Sequence, residues 1–118
     1  MRIDEAKEKM TPEQAQDFAV MLALFNLARS VLAYSQDADH PATENLSTAG
    51  ALAENFMIVR RDNRLDNDTV ARGFDWIVRN GIARPLTCNG AAITATEAIA
   101  AVVNAYHRVK GWRRGGGR

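Results

Sequence analysis

Cysteine is all but missing from this chain, and the single one, Cys88, has no second thiol with which to form an intramolecular disulfide. A lone thiol suits a reducing compartment, so a cytoplasmic setting is expected. Histidine is nearly as scarce. His40 and His107 are far apart, neither sits in an HxxxH or HExxH pattern, and no CxxC pair exists, so no metal site is expected. His107 falls near the end of the last predicted helix, where a solvated or capping role is expected.

Phosphate-cradling glycine motifs are absent too: neither GxGxxG nor GxxxxGK[ST] occurs, and no G-x-S-x-G elbow presents a nucleophile. The acids Asp62, Asp66 and Asp68 do not build a calcium loop. Arg64 stands third, Asn67 sixth and Gly73 twelfth, where that loop needs an oxygen ligand, a glycine and a glutamate. No catalytic, cofactor-binding or metal-binding residue emerges, and the expectation is that the protein is not an enzyme and uses no cofactor. Long apolar runs are lacking as well. The longest, from Phe18 to Ala28, is interrupted by Asn26 and falls short of the roughly 20 residues of a membrane-spanning helix, so no membrane contact is expected. The opening MRIDEAKEKM mixes both charges without an apolar core and does not read as a secretory signal.

What is present is the composition of a globular domain. The chain has 118 residues, 47% hydrophobic and 25% charged, enough for one domain with a real core. Net charge is +1, but it is unevenly spread. Residues 1–59 carry four bases against nine acids and residues 60–118 eleven against five, or −5 and +6. Such asymmetry fits a polyanionic partner or two halves that complement each other.

Helix signals dominate. Thr11, Pro12 and Gln14 form a start signal with Met10 as a hydrophobic staple. Two apolar stripes follow: Phe18, Met21, Leu22, Phe25, Ala28 and Leu32, then Val20, Leu24, Leu27 and Val31. A helix apolar on both sides is central in a bundle or shared with a partner. Carried to residue 35 it would be about 36 Å long at 1.5 Å per residue, a first hint of a homo-oligomer. A loop with His40-Pro41 follows, then a second helix from Glu44 to about Arg61, with Leu46, Leu52, Phe56 and Val59 near its apolar face. Its small residues Ala49, Gly50, Ala51 and Ala53 suit close helix approach. A third helix is capped by Asp66, Asn67 or Asp68, buries Val70, Phe74, Ile77 and Val78, and ends at Asn80-Gly81. Asn89-Gly90 is a hairpin signal, so a short β-hairpin or ordered loop is expected near residues 86–94. Thr94 and Glu97 open a fourth helix along Ile99, Val102, Val103, Tyr106 and Val109, with Gly111 as its end.

The expected architecture is therefore a mainly all-α, small four-helix domain spanning 11–111, after an N-terminal extension (1–10) and before a basic Gly/Arg tail (112–118). No repeat and no heptad register long enough for a coiled coil is present. Function is read as a protein–protein interaction or assembly module, a genre rich in phage and mobile-element proteins, acting on a protein partner or on itself. Trp76, Phe18, Leu24 and Leu27 are the partner-binding candidates, with Trp76 one residue off the apolar face of its helix. The alternative partner is nucleic acid. Arg108, Lys110, Trp112, Arg113 and Arg114 combine positive charge with aromatic rings and no acid follows Glu97, a pattern that grips phosphates without sequence specificity.

Overall fold

The computed structural model describes the backbone of residues 12–35 and 43–114, and the side chains of residues 16–34 and 47–111. Among the described residues, four helices and one short antiparallel hairpin make a compact, mainly helical domain: α1 (Pro12–Ser35), α2 (Thr43–Asp62), α3 (Asn67–Arg79), β1 (Thr87–Cys88), β2 (Ala91–Ala92) and α4 (Ala95–Arg114). The expected Thr11 cap, Met10 staple, His40-Pro41 loop, N-terminal extension and the end of the basic tail lie outside the described residues.

The best-defined helix ends are those with the clearest local chemistry. Asp66 caps α3 by accepting the Thr69 backbone N–H at 2.7 Å, satisfying one of the donors a first turn leaves open. At the other end Gly81 takes a left-handed φ of 69°. Its N–H donates to the Val78 carbonyl and that of Ile82 to the Ile77 carbonyl, both at 3.1 Å, which is a Schellman closure. The turn leaving α2 closes in the same way, but with Arg64 in the left-handed position at φ 54°. There the Arg64 and Leu65 N–H groups donate to the Arg61 and Arg60 carbonyls, each at 3.0 Å. At α4 the capping box is reciprocal: Glu97 N–H donates to Thr94 Oγ1, and Thr94 N–H to Glu97 Oε1, both at 3.1 Å.

Gly111 does not end α4. The helix runs through it to Arg114. Nothing lies within 4 Å of where a Cβ at Gly111 would stand. Its weak helix propensity, about 1 kcal/mol below alanine, lowers helix stability without forcing a stop. The hairpin forms as its turn signal implied, with Thr87 opposite Ala92 and Cys88 opposite Ala91. Asn89 and Gly90 both have positive φ, 52° and 83°, as the two central positions of a type I′ turn require. Ile93 N–H extends the pairing by donating to the Leu86 carbonyl at 2.9 Å.

One phenylalanine from each of α1, α2 and α3 meets at the centre. Phe25 and Phe74 stack edge-to-face at 5.1 Å, Phe56 and Phe74 at 6.4 Å, and all three are fully buried. Leu24, Val31, Val70, Ile77 and Val102 complete the innermost layer. The two apolar stripes of α1 are largely used by this core: Phe18, Leu24, Phe25, Ala28, Val31 and Leu32 are buried, and Val20, Met21, Leu22 and Leu27 pack against them half-buried. The small residues of α2 divide. Ala49, Gly50 and Ala53 are buried, which brings α2 close to its neighbours, whereas Ala51 faces out.

Candidate functional site

The charge of the domain is segregated. Residues 16–34 and 47–59, on α1 and α2, contain only Asp17, Arg29 and Glu54 as charged residues, while residues 60–111 contain thirteen. A surface helix ordinarily presents charged side chains opposite its buried face, and α3 does so. Helix α1 does not. Its outer stripe is Ala19, Ala23, Asn26, Ser30 and Ala33, in alternating steps of four and three residues. Four of these are exposed and Ser30 is half-buried. Beside it the outer stripe of α2 is Thr48, Ala51, Asn55 and Ile58, also exposed and uncharged. The two helices share the domain's most extensive helix–helix contact. Large apolar side chains contribute little to the surface: only Tyr34 at 42% and Ile58 at 36% are exposed among the described residues. The exposed surface of these two stripes is therefore made mostly of small, uncharged side chains.

Helix α1 has a second property that its sequence understated. The stretch Gln16–Tyr34 has mean hydropathy 1.4 over 19 residues, long and apolar enough by length and composition to cross a membrane, although Asp17 and Arg29 lie in it. A core helix passes the same test; Phe18, Leu24, Phe25 and Leu32 of this stretch are buried, and about a third of it is buried overall.

The four partner-binding candidates occupy different environments. Phe18 and Leu24 are 5% and 0% exposed, so they are core residues without surface to offer a partner. Leu27 is half-buried against the core. Trp76 is half-buried too, its ring meeting Phe18 edge-to-face at 5.8 Å and 81°. Being one residue off the α3 stripe places it over the α1–α3 seam rather than out in solvent.

The basic candidates separate as well. Arg108 and Lys110 are exposed. Lys110 folds back on its own helix: its Nζ donates to Tyr106 Oη at 3.2 Å and lies 5.3 Å from that ring's centroid. The side chains of Trp112, Arg113 and Arg114 lie outside the described residues. His107 is exposed beside Tyr106, and Cys88 is half-buried. Among the described residues no three His, Cys, Asp or Glu side chains converge as a metal site. Exposed ion pairs such as Arg72–Asp68 at 3.5 Å account for part of the interleaved charge on α3, at about 0–1 kcal/mol each.

Sequence reasoning missed a cleft of about 730 Å³ between the second half of α1 and the segment from Ile82 to Ala92. Arg29 and Arg84 both line it, 55 positions apart in the chain and brought together only by the fold. Comparison with protein-family models, with curated proteins and with solved structures found no match.

Proposed function

We propose that the protein is a small assembly module, without catalytic chemistry of its own, whose uncharged α1–α2 side pairs with the same side of a second copy. The observation that carries this reading is the outer stripe of α1, uncharged where a solvated helix would be charged. Alanine and serine let two helices approach closely, and the four–three spacing keeps one seam in register over about two heptads. Asn26, the one amide in the α1 seam, would set the register of the pair, a role such residues play in helical dimers. A two-fold pairing needs only one self-complementary patch.

The test is sedimentation equilibrium of the full chain and of Ala23→Glu and Ala51→Glu. Both sites are exposed and helical, so glutamate costs the fold little while placing like charges across the seam. Concentration-dependent association in the wild type, lost in both variants with unchanged circular dichroism, supports the reading. A wild-type monomer at the highest soluble concentration removes it. Co-flotation of the wild-type chain with vesicles, abolished by Ala23→Glu, would assign the same side to a membrane instead.

One observation favours nucleic acid as a second reading. Because α4 passes through Gly111, Arg108, Lys110, Arg113 and Arg114 belong to one continuous helix with no acid after Glu97. Contacts to phosphate release counterions, so this reading requires binding to single- or double-stranded oligonucleotides that weakens steeply with salt and is lost when the chain ends at Lys110.

A further inference from the structure

The cleft beside α1 combines two features. Its lining is mainly aliphatic, with Leu32, Ala33, Ile82 and Leu86 forming much of it, and it holds two guanidinium side chains, Arg29 and Arg84, and no acid. By contrast, the groove between α3 and α4, about 440 Å³, is lined by Asp68 and carries no cation. Arg29 is braced, its guanidinium carbon lying 5.1 Å from the centroid of the buried Phe25 ring, which restricts the side chain before any ligand arrives. Neither arginine pairs with an acid among the described residues. On the far wall the hairpin contributes Thr87, Gly90 and Ala92.

We infer that this cleft binds an acidic peptide segment of a partner protein, an apolar residue seated on Ala33, Ile82 and Pro85 and an adjacent carboxylate held between Arg29 and Arg84. The volume is within the 300–1,000 Å³ range of ligand sites, but the site is an open groove rather than an enclosed pocket. An open groove admits a chain that enters and leaves, whereas a small molecule there would keep much of its surface in water. Nucleic acid fits less well. A strand needs a run of cations with aromatic platforms for its bases, and this lining has two cations and no ring. Guanidinium groups hold carboxylates in a bidentate fork, and the aliphatic floor adds the apolar contact that charge alone does not provide. The inference rests on the proposed assembly role only in taking the partner to be a protein, and it uses a different surface.

The test is fluorescence anisotropy of the full chain with three labelled octapeptides: alternating leucine and glutamate, alternating leucine and glutamine, and glutamate alone. The leucine–glutamate peptide is expected to bind best, and Arg84→Glu and Ala92→Glu are each expected to weaken it about tenfold. Arg84 and Ala92 are exposed and outside α1 and α2, so sedimentation of the same variants must still report wild-type assembly if that reading holds. Failure of the peptide arm with intact assembly therefore sinks the cleft alone. Equal binding of all three peptides, unchanged binding in both variants, or displacement of the peptide by a single-stranded oligonucleotide sensitive to Arg84→Glu would each overturn the inference.

Discussion

Gly50 of α2 lies directly under Val109 of α4: a Cβ on Gly50 would stand 2.6 Å from Val109 Cβ, closer than carbon atoms can pack. Gly73 of α3 has a similar relation to Met21 of α1, with a built Cβ 2.6 Å from Met21 Cε. The two differ in what would have to move. Val109 is β-branched and stiff, and the clash reaches its Cβ next to the backbone. Met21 meets the intruding carbon along an unbranched thioether, from Cγ through Sδ to Cε, which has no branch at Cβ to hold it in place. Gly50→Ala is therefore expected to destabilise by about 1–3 kcal/mol through overpacking, despite better helix propensity. Gly73→Ala is expected to fall within about 1 kcal/mol of wild type, since the propensity gain offsets the methionine's shift. Urea denaturation of both variants checks the pair, and equal losses would show that Met21 cannot yield.

Trp76 tests whether a half-buried aromatic serves the fold or a partner. Its edge-to-face contact with Phe18 covers a core residue, so Trp76→Ala is expected to lower unfolding free energy by about 1–3 kcal/mol. If the α1–α2 side is the interface, self-association measured well below the unfolding midpoint should be unchanged. A variant with wild-type stability that no longer associates would return Trp76 to the interface.

Asp66 gives the domain a pH dependence of known sign. The Thr69 backbone N–H and then its hydroxyl hold the Asp66 carboxyl below its ordinary value of 3.8, with smaller help from Arg72 and Arg60 and a small opposing effect of desolvation. A folded-state pKa lowered in this way stabilises the protein above the unfolded value, and that stabilisation is lost as pH falls through the folded value. Asn caps a helix about as well as Asp but does not titrate in this range. Thermal melts of wild type and Asp66→Asn, taken well above and well below pH 3.8, should therefore converge or cross in acid. Parallel pH dependences would mean that the cap does not sense its own charge.

Helix ends were legible where the chemistry was contiguous. Asp66 with Thr69, Gly81 with Ile82, Thr94 with Glu97 and Asn89-Gly90 each resolve within a few residues, and all formed as their local signals indicated. Gly111 misled because glycine weakens a helix without ending it, and no following bond captured it in a left-handed turn. Arg64 was silent for the opposite reason: an ordinary side chain took the left-handed position that glycine normally marks. The small residues of α2 announced a close approach, but not that Val109 would fill it. Nor does periodicity say which apolar side of α1 stays inside, since both stripes qualify. The Arg29–Arg84 cleft had no local signal at all. Its two cations come from α1 and from the loop after α3, and only the packing of the hairpin against α1 puts them on one groove.

That hairpin is short, which makes it a sensitive reporter. Gly90 has φ 83° and nothing within 4 Å of a built Cβ, so Gly90→Ala meets no obstacle except its own backbone. The left-handed conformation costs a residue with a Cβ about 1–2 kcal/mol. With only Thr87–Ala92 and Cys88–Ala91 paired, that cost should open the hairpin locally before it unfolds the helices. The expected signature is faster hydrogen exchange at the Ile93 amide, now bonded to the Leu86 carbonyl at 2.9 Å, with little change at amides in the middle of α1. If instead Gly90→Ala accelerates exchange in α1 as much as at Ile93, the hairpin and the helical core open as one unit, and the wall of the cleft is as stable as the domain itself.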